Sequence, residues 1–130
     1  PEPIMIPSTD DRETIFKSFG RAFFKQDMDL MYQVVTDDFT WTVQEGDTVR
    51  VLNSREKIEG FFAERRGKFE NVRFEDVVFN HAPEATFMTY RMTGTEAATG
   101  AAFARVGVER YTFRDGKLTE KDVYSRPAAA

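Results

Sequence analysis

The chain contains no cysteine and a single histidine, His81, in 130 residues. Disulfide scaffolds, thiol nucleophiles and iron–sulfur clusters are thereby excluded, and zinc sites nearly so, because their ligands are cysteine and histidine. Carboxylates are the one ligand set left for a metal, and neither a metal nor a cofactor is expected. An excess of basic charge is missing too: 18 Lys and Arg stand against 22 Asp and Glu, a net charge of −4. A surface that neutralises phosphates needs the opposite balance, so no nucleic-acid partner is expected. No run approaches the roughly 20 apolar residues of a membrane span, and Pro1-Glu2-Pro3-Ile4-Met5-Ile6-Pro7 has no basic start before an apolar stretch. The expectation is no membrane partner and a cytoplasmic location.

What is present is apolar bulk, 41% hydrophobic residues with 13 Phe among them. A chain of this length buries roughly two-thirds of the surface its unfolded form exposes, enough for one core without staples and hardly for two. One domain over residues 1–130 is expected, with an ordered core from about residue 8 to about residue 126 and an alanine tail that frays. Asp10 with Glu13 has capping-box spacing, and Ile15, Phe16, Phe19, Ala22 and Phe23 follow as one helical stripe. Asp27 starts a second helix carrying Leu30, Met31, Val34 and Val35, which stops near Thr36-Asp37-Asp38. The period then changes to two: Phe39, Trp41 and Val43 alternate with Thr40, Thr42 and Gln44, as in a strand with one apolar face. After a short strand around Val49, Val51 and Leu52, Asn53 and Glu56 open a third helix with Ile58, Phe61 and Phe62, which Gly67 is placed to close. Strands are predicted over 72–80, 86–94, 103–113 and 118–125. The Asp115-Gly116 pair suits a type I′ hairpin turn, and Glu96 to Ala102 reads as a longer, mobile loop.

This order is an α+β pattern, three helices covering one face of a curved antiparallel sheet whose twist closes it into a cone with a cavity at the open end. The order, together with Lys25-Gln26-Asp27-Met28-Asp29, Thr36-Asp37-Asp38-Phe39-Thr40-Trp41, Ile58-Glu59-Gly60-Phe61-Phe62 and Tyr111-Thr112-Phe113-Arg114-Asp115-Gly116-Lys117-Leu118, resembles the nuclear transport factor 2-like superfamily. Within it, the chain resembles the SnoaL-like and ketosteroid isomerase-like proteins. The resemblance runs from about Asp10 to Ser125 and implies a cone-shaped sheet wrapped on three N-terminal helices (a cystatin-like architecture). The fold hosts isomerases, cyclases, dehydratases, epoxide hydrolases and binding modules alike. Matched residue by residue, the steroid isomerase tyrosine falls on Phe19 and its base near Val43, neither of which can do that work; the third position, an acid, falls on Glu109. No equivalent of the arginine and aspartates of epoxide hydrolase-like members is found.

Glu109 is therefore the candidate acid or base. If Phe103, Arg105, Gly107, Glu109, Tyr111 and Phe113 share one strand face, the acid stands between aromatics. Burial disfavours the charged form of such a group and suits it to proton transfer. The alternative is an ion pair with Arg105 at the sheet rim. Catalytic roles are assigned to Glu109 and Tyr111. Ligand contacts are assigned to Phe19, Phe23, Trp41, Phe62, Met88, Tyr90, Met92 and Phe103, against the bland alternative that these side chains simply fill the cone. His81 is read as a solvated loop imidazole. Asp37-Asp38 is read as a helix stop, and Arg65-Arg66 with Lys68 as cations at a helix C-terminus, with a phosphate site as the lesser reading.

The outward positions Thr89, Arg91, Val106, Val108, Arg110 and Thr112 mix apolar and charged groups, and a homodimer through this face is expected. Two functions stay open. One is a cofactor-independent isomerase, cyclase or lyase that moves a proton next to the carbonyl of a small apolar organic molecule. The other is a non-catalytic ligand-binding or dimerisation module.

Overall fold

The structure, a computed structural model, describes residues 6–129. Residues 1–5 and Ala130, the leading prolines and the end of the alanine tail, lie outside the described residues. Helix α1 spans Thr9–Lys25 and α2 Met28–Val34; strands β1 (Val35–Glu45) and β2 (Thr48–Leu52) follow, then α3 (Arg55–Lys68). Four long strands complete the chain: β3 Phe69–His81, β4 Ala85–Glu96, β5 Ala102–Arg114 and β6 Lys117–Pro127.

The helices start close to where capping chemistry puts them. Asp27 caps α2 by accepting from the Leu30 N–H at 3.1 Å, as expected. The other two caps are shifted: Ser8 caps α1 in place of Asp10, and Ser54 caps α3 in place of Asn53, each hydroxyl accepting from an N–H three residues on at 3.2 Å. Gly67 does not end α3; the helix runs through Lys68 and passes straight into extended backbone at Phe69. With no loop needed there, β3 begins three residues earlier than the alternation suggests. Glu96 to Ala102 is likewise no long loop. Gly100 takes a φ of 73° and its N–H reaches the Glu96 carbonyl at 2.8 Å, which closes a tight turn. At the last hairpin Asp115 and Gly116 both have positive φ, 54° and 73°, as a type I′ turn demands. Ala128 adds a further backbone bond, to the Ala104 carbonyl at 2.9 Å, so the start of the alanine tail is tied down.

The strands form one six-stranded sheet in the order β2-β1-β6-β5-β4-β3. It is mixed rather than antiparallel, because β1 lies parallel to β6 while all other neighbours are antiparallel. Nor are all three helices N-terminal to the sheet: two open the chain, and the third crosses over after β2. The crossover leaves the β1–β2 hairpin at one side of the sheet and carries β3 to the opposite edge. Two bulges bend β3 where its register to β4 slips, and Asn71 and Asp76 there hold φ near 54° and 53°, a conformation their short polar side chains tolerate.

The buried faces of the helices, Phe16, Phe19 and Ala22, Met28 and Met31, and Ile58, Phe61 and Phe62, meet Val35, Phe39, Trp41, Leu52, Tyr111, Phe113, Leu118 and Val123 of the sheet in one core. Full burial of each large apolar side chain contributes about 1.5–3 kcal/mol. Arg12 extends the α1 stripe by one turn and is buried as well. Its guanidinium donates to the carbonyls of Pro7 at 2.9 Å, Ala82 at 2.6 Å and Pro83 at 2.9 Å and lies over the Phe113 ring, tying α1 to the β3–β4 turn. Among the described residues no helix is long and apolar enough to cross a membrane.

Candidate functional site

Strand register sets the site. Trp41 of β1 faces Lys121 of β6, and Lys121 faces Tyr111 of β5, so these three stand in one row across the sheet centre. Glu109, two residues before Tyr111 on the same face, is opposite Met88 of β4 and Val123 of β6. Glu109 and Lys121 are 4% and 3% exposed. The Tyr111 hydroxyl donates to Glu109 Oε1, and Lys121 Nζ approaches the same oxygen at 3.6 Å. The ammonium also rests 4.2 Å from the ring centres of both Phe23 and Trp41 and 5.3 Å from that of Phe19. A cation this deep needs such partners, because its hydration is gone.

The acid is therefore not alone, and Arg105 is not its partner. Arg105 turns to Ser125 instead, donating to its Oγ from Nε at 3.3 Å and Nη2 at 3.2 Å. Four residues along a strand separate Arg105 from Glu109 by two pleats, whereas Lys121 reaches it diagonally from the adjacent strand. The period of β6 carries the signal for Lys121: counting back in twos from Ser125 and Val123 puts it inside. The count is obscured because β6 shifts register beside Phe113, pairing Thr112 with Glu120 and Phe113 with Leu118. Thr119 is the extra residue, and Leu118 points inward as well.

Electrostatics follow burial. Burial lowers Lys121 from its usual 10.5 to about 8, with Glu109 opposing the shift. Burial first, and the Glu109 charge second, raise both Tyr111 and Tyr90, so both phenols stay protonated donors at neutral pH. Tyr90 has room because position 107 is glycine. A Cβ there would come within 2.5 Å of the Tyr90 ring end and hydroxyl.

A cavity of about 330 Å³ opens beside this cluster, walled by Trp41, Phe61, Phe69, Phe74 and Met92 and carrying Arg65, Tyr90, Arg105, Glu109, Lys121 and Ser125. A second, of about 140 Å³ and lined by Phe16, Phe19, Met88 and Tyr111, shares Phe23, Phe74, Glu109 and Lys121 with the first. The ion pair thus faces both. Of the sequence candidates, Phe23, Trp41, Tyr90, Met92 and Glu109 meet in the larger cavity, and Phe19, Met88 and Tyr111 in the smaller. Phe62 is core between Phe23 and Trp41 and borders a separate cleft toward β3 rather than either of these cavities. Phe103 lies on Phe69 and would collide with a side chain at position 94, outside the walls of these cavities. The indole Nε1 of Trp41 is buried with no hydrogen-bond partner among the described residues.

The remaining candidates are structural. Asp38 forms a double contact with Arg114, at 2.5 and 3.0 Å, and that guanidinium holds its carboxyl down at about 2. His81 is not a free loop imidazole. It ends β3, half-buried, with Nδ1 2.9 Å from Thr86 Oγ1 and its ring parallel to Phe79. The basic trio on α3 divides, since Arg66 turns to Gln26 while Arg65 turns into the larger cavity.

A bulged mixed sheet with β1 parallel to β6, packed on three helices around an interior cavity, is the architecture of the nuclear transport factor 2-like proteins. Solved structures agree. An NTF2-like protein from Burkholderia xenovorans LB400 shares 20% identity over 92% of each chain with a TM-score of 0.79. A provisionally named polyketide cyclase from Silicibacter sp. TM1040 shares 20% identity over 93% of each chain with a TM-score of 0.75. TerC, co-crystallised with polyporic acid, shares 16% identity over 88% of this chain and 90% of its own, with a TM-score of 0.74. At these identities the likeness is one of fold. No curated protein matches the sequence. Residues 16–121 match the SnoaL-like domain, and the chain belongs to that family.

Proposed function

We propose that the protein is a cofactor-independent enzyme that moves a proton at the carbon next to the carbonyl of a small, largely apolar compound, as an isomerase, cyclase or lyase does. The observation that carries this reading is a carboxylate, Glu109, buried on the wall of a cavity and held through Oε1 by the Tyr111 hydroxyl. Glu109 takes the proton, and Tyr111 orients the carboxylate. The enolate oxygen that develops is met by donors already in place, the Tyr90 hydroxyl and the Lys121 ammonium, in a site where water does not compete. Phe23, Trp41 and Met92 hold the apolar body of the substrate in the larger cavity, and Phe19 and Met88 shape the smaller one. The absence of a hydroxyl at Phe19 and of a carboxylate at Val43 separates this arrangement from that of a steroid isomerase. The co-crystallised ligand of TerC supports the use of this fold for small organic molecules.

The test is deuterium exchange at the carbon next to the carbonyl of a panel of enolisable ketones such as indanone and tetralone, followed by NMR. The wild type is expected to exceed the buffer rate, and Glu109→Gln to lose about a hundredfold or more. Exchange by Glu109→Gln at the wild-type rate overturns the assignment. The outer face of the sheet belongs to the same proposal as the surface of a homodimer: Val108 and Tyr124 stand 40% and 56% exposed there. Sedimentation equilibrium reads the outcome, and a monomer at micromolar concentration refutes it.

A further inference from the structure

Several N–H groups around the larger cavity have a weak acceptor, a shared one or none among the described residues. The half-buried Arg65 guanidinium lies over the rings of Phe61 and Phe69, and its one hydrogen-bond acceptor among the described residues is the Met92 thioether, 3.2 Å from Nη2. A thioether is a weak acceptor for a group with five N–H bonds. Arg105 spends two of its nitrogens on the single oxygen of Ser125. Neither arginine has a carboxylate within ion-pair distance among the described residues. The Trp41 N–H has no partner among the described residues.

The acids that border the cavity are already engaged. Glu64 is bound by Arg50 at 2.6 and 3.1 Å, and Glu109 by Lys121 and Tyr111. The two guanidiniums also feel each other: burial chiefly lowers the pKa of Arg65, Tyr90 and Glu109 oppose the shift, and Arg105 adds to it. Two like charges held within electrostatic reach of one another, half-desolvated and short of acceptors, favour a further anion between or beside them. The protein as a whole is acidic, −4, whereas the cavity wall carries Arg65, Lys68, Arg105 and Lys121 against Glu64 and Glu109.

We infer that the compound bound in this cavity carries a carboxylate, which Arg65 and Arg105 hold while its apolar body lies against Trp41, Phe61 and Phe69. The planar fork of Arg65 suits a carboxylate, and the aromatic rings beneath it keep the guanidinium in place. The proposal rests on the reading of this cavity as the substrate site and narrows the substrate to a small keto acid or aromatic acid.

The experiment is isothermal titration calorimetry with matched probes: phenylpyruvate against its methyl ester, naphthoate against naphthamide, and phenylphosphate. The acids are expected to bind the wild type at least tenfold more tightly than their neutral counterparts. That preference is lost in Arg65→Met and Arg105→Met, each weakening acid binding by about tenfold to a hundredfold while leaving the ester unchanged. Arg65→Lys, which keeps the charge and loses the fork, falls between the two. Urea denaturation midpoints verify that the variants fold, and the acid-over-ester ratio of the wild type is read whether or not they do. Equal binding of acid and ester, failure of all the acids to bind, or phenylphosphate binding more tightly than the carboxylates each overturns the inference. Binding needs no turnover, so the two readings separate. Acid-selective binding without ketone exchange removes the proton-transfer chemistry alone, and ketone exchange without acid selectivity removes the carboxylate alone.

Discussion

Replacing Lys121 by methionine keeps the length of the side chain and removes its charge. The carboxylate of Glu109 is then left 4% exposed with the phenols of Tyr111 and Tyr90 as partners and no cation beside it. Breaking a buried ion pair from one side costs about 3–5 kcal/mol, because the remaining charge is neither hydrated nor compensated. For a domain of this size each kcal/mol lowers Tm by about 4 °C, so a drop of about 12–20 °C is expected. Glu109→Gln strands the amine instead, but an amine whose pKa is already down at about 8 escapes by losing its proton. That variant loses only about 1–2 kcal/mol at pH 7, and its glutamine still accepts from Tyr111. In the double variant a neutral amide faces a thioether and no charge is stranded. Its loss is smaller than the sum of the single losses by about 2 kcal/mol or more. The assay is urea denaturation of all four proteins at pH 7. Losses that add to within about 0.5 kcal/mol would refute the coupling.

The same lysine shapes stability against pH. Between its folded value of about 8 and its unfolded value of 10.5, the unfolded chain holds a proton that the folded chain has released, so stability rises with pH through this window. The gain from pH 7 to 10 is on the order of 2 kcal/mol relative to Lys121→Met; parallel profiles for the two proteins would contradict it. Above pH 10 the raised values of Tyr90 and Tyr111 act in the opposite sense, because the unfolded phenols ionise first. Gly107→Ala drives a Cβ against Tyr90 and is expected to cost about 1–3 kcal/mol and to shift the Tyr90 ring resonances, whereas an unshifted ring would show the space to be open. Arg12→Met orphans the Pro7, Ala82 and Pro83 carbonyls, and a loss of about 3 kcal/mol or more is expected by urea denaturation; less than 1 kcal/mol would remove Arg12 as a staple.

Most of the architecture is legible along the chain because two periods, one helical and one of two, decide which face of each element is apolar. Helical spacing puts Phe16, Phe19 and Ala22 inside, and alternation puts Tyr90, Met92, Glu109, Tyr111 and Phe113 inside. What local pattern cannot carry is pairing across the sheet. That β1 runs parallel to β6 follows from the crossover through α3, a long-range fact, and it is this pairing that brings Trp41 beside Lys121. The lysine itself is hidden by chemistry and by geometry: a charged residue reads as solvated, and the extra residue at Thr119 breaks the alternation that places it. Arg12 and Arg65 are disguised in the same way. Each lies on the inner face of its helix, yet its charge suggests the surface, and its partners are carbonyls, rings and a sulfur scattered far along the chain. Glu109 is legible because it lies in phase with Tyr111 and Phe113, an acid at an inward position between aromatics.

The most direct test of Glu109 as the proton-transferring group is a crystal structure of the protein with indanone bound. Proton transfer requires the carbon next to the carbonyl within about 3–3.5 Å of a Glu109 carboxylate oxygen, with the carbonyl oxygen turned to Tyr90 or Lys121. Indanone bound with that carbon beyond reach of Glu109, or bound only outside the cavity, would contradict it.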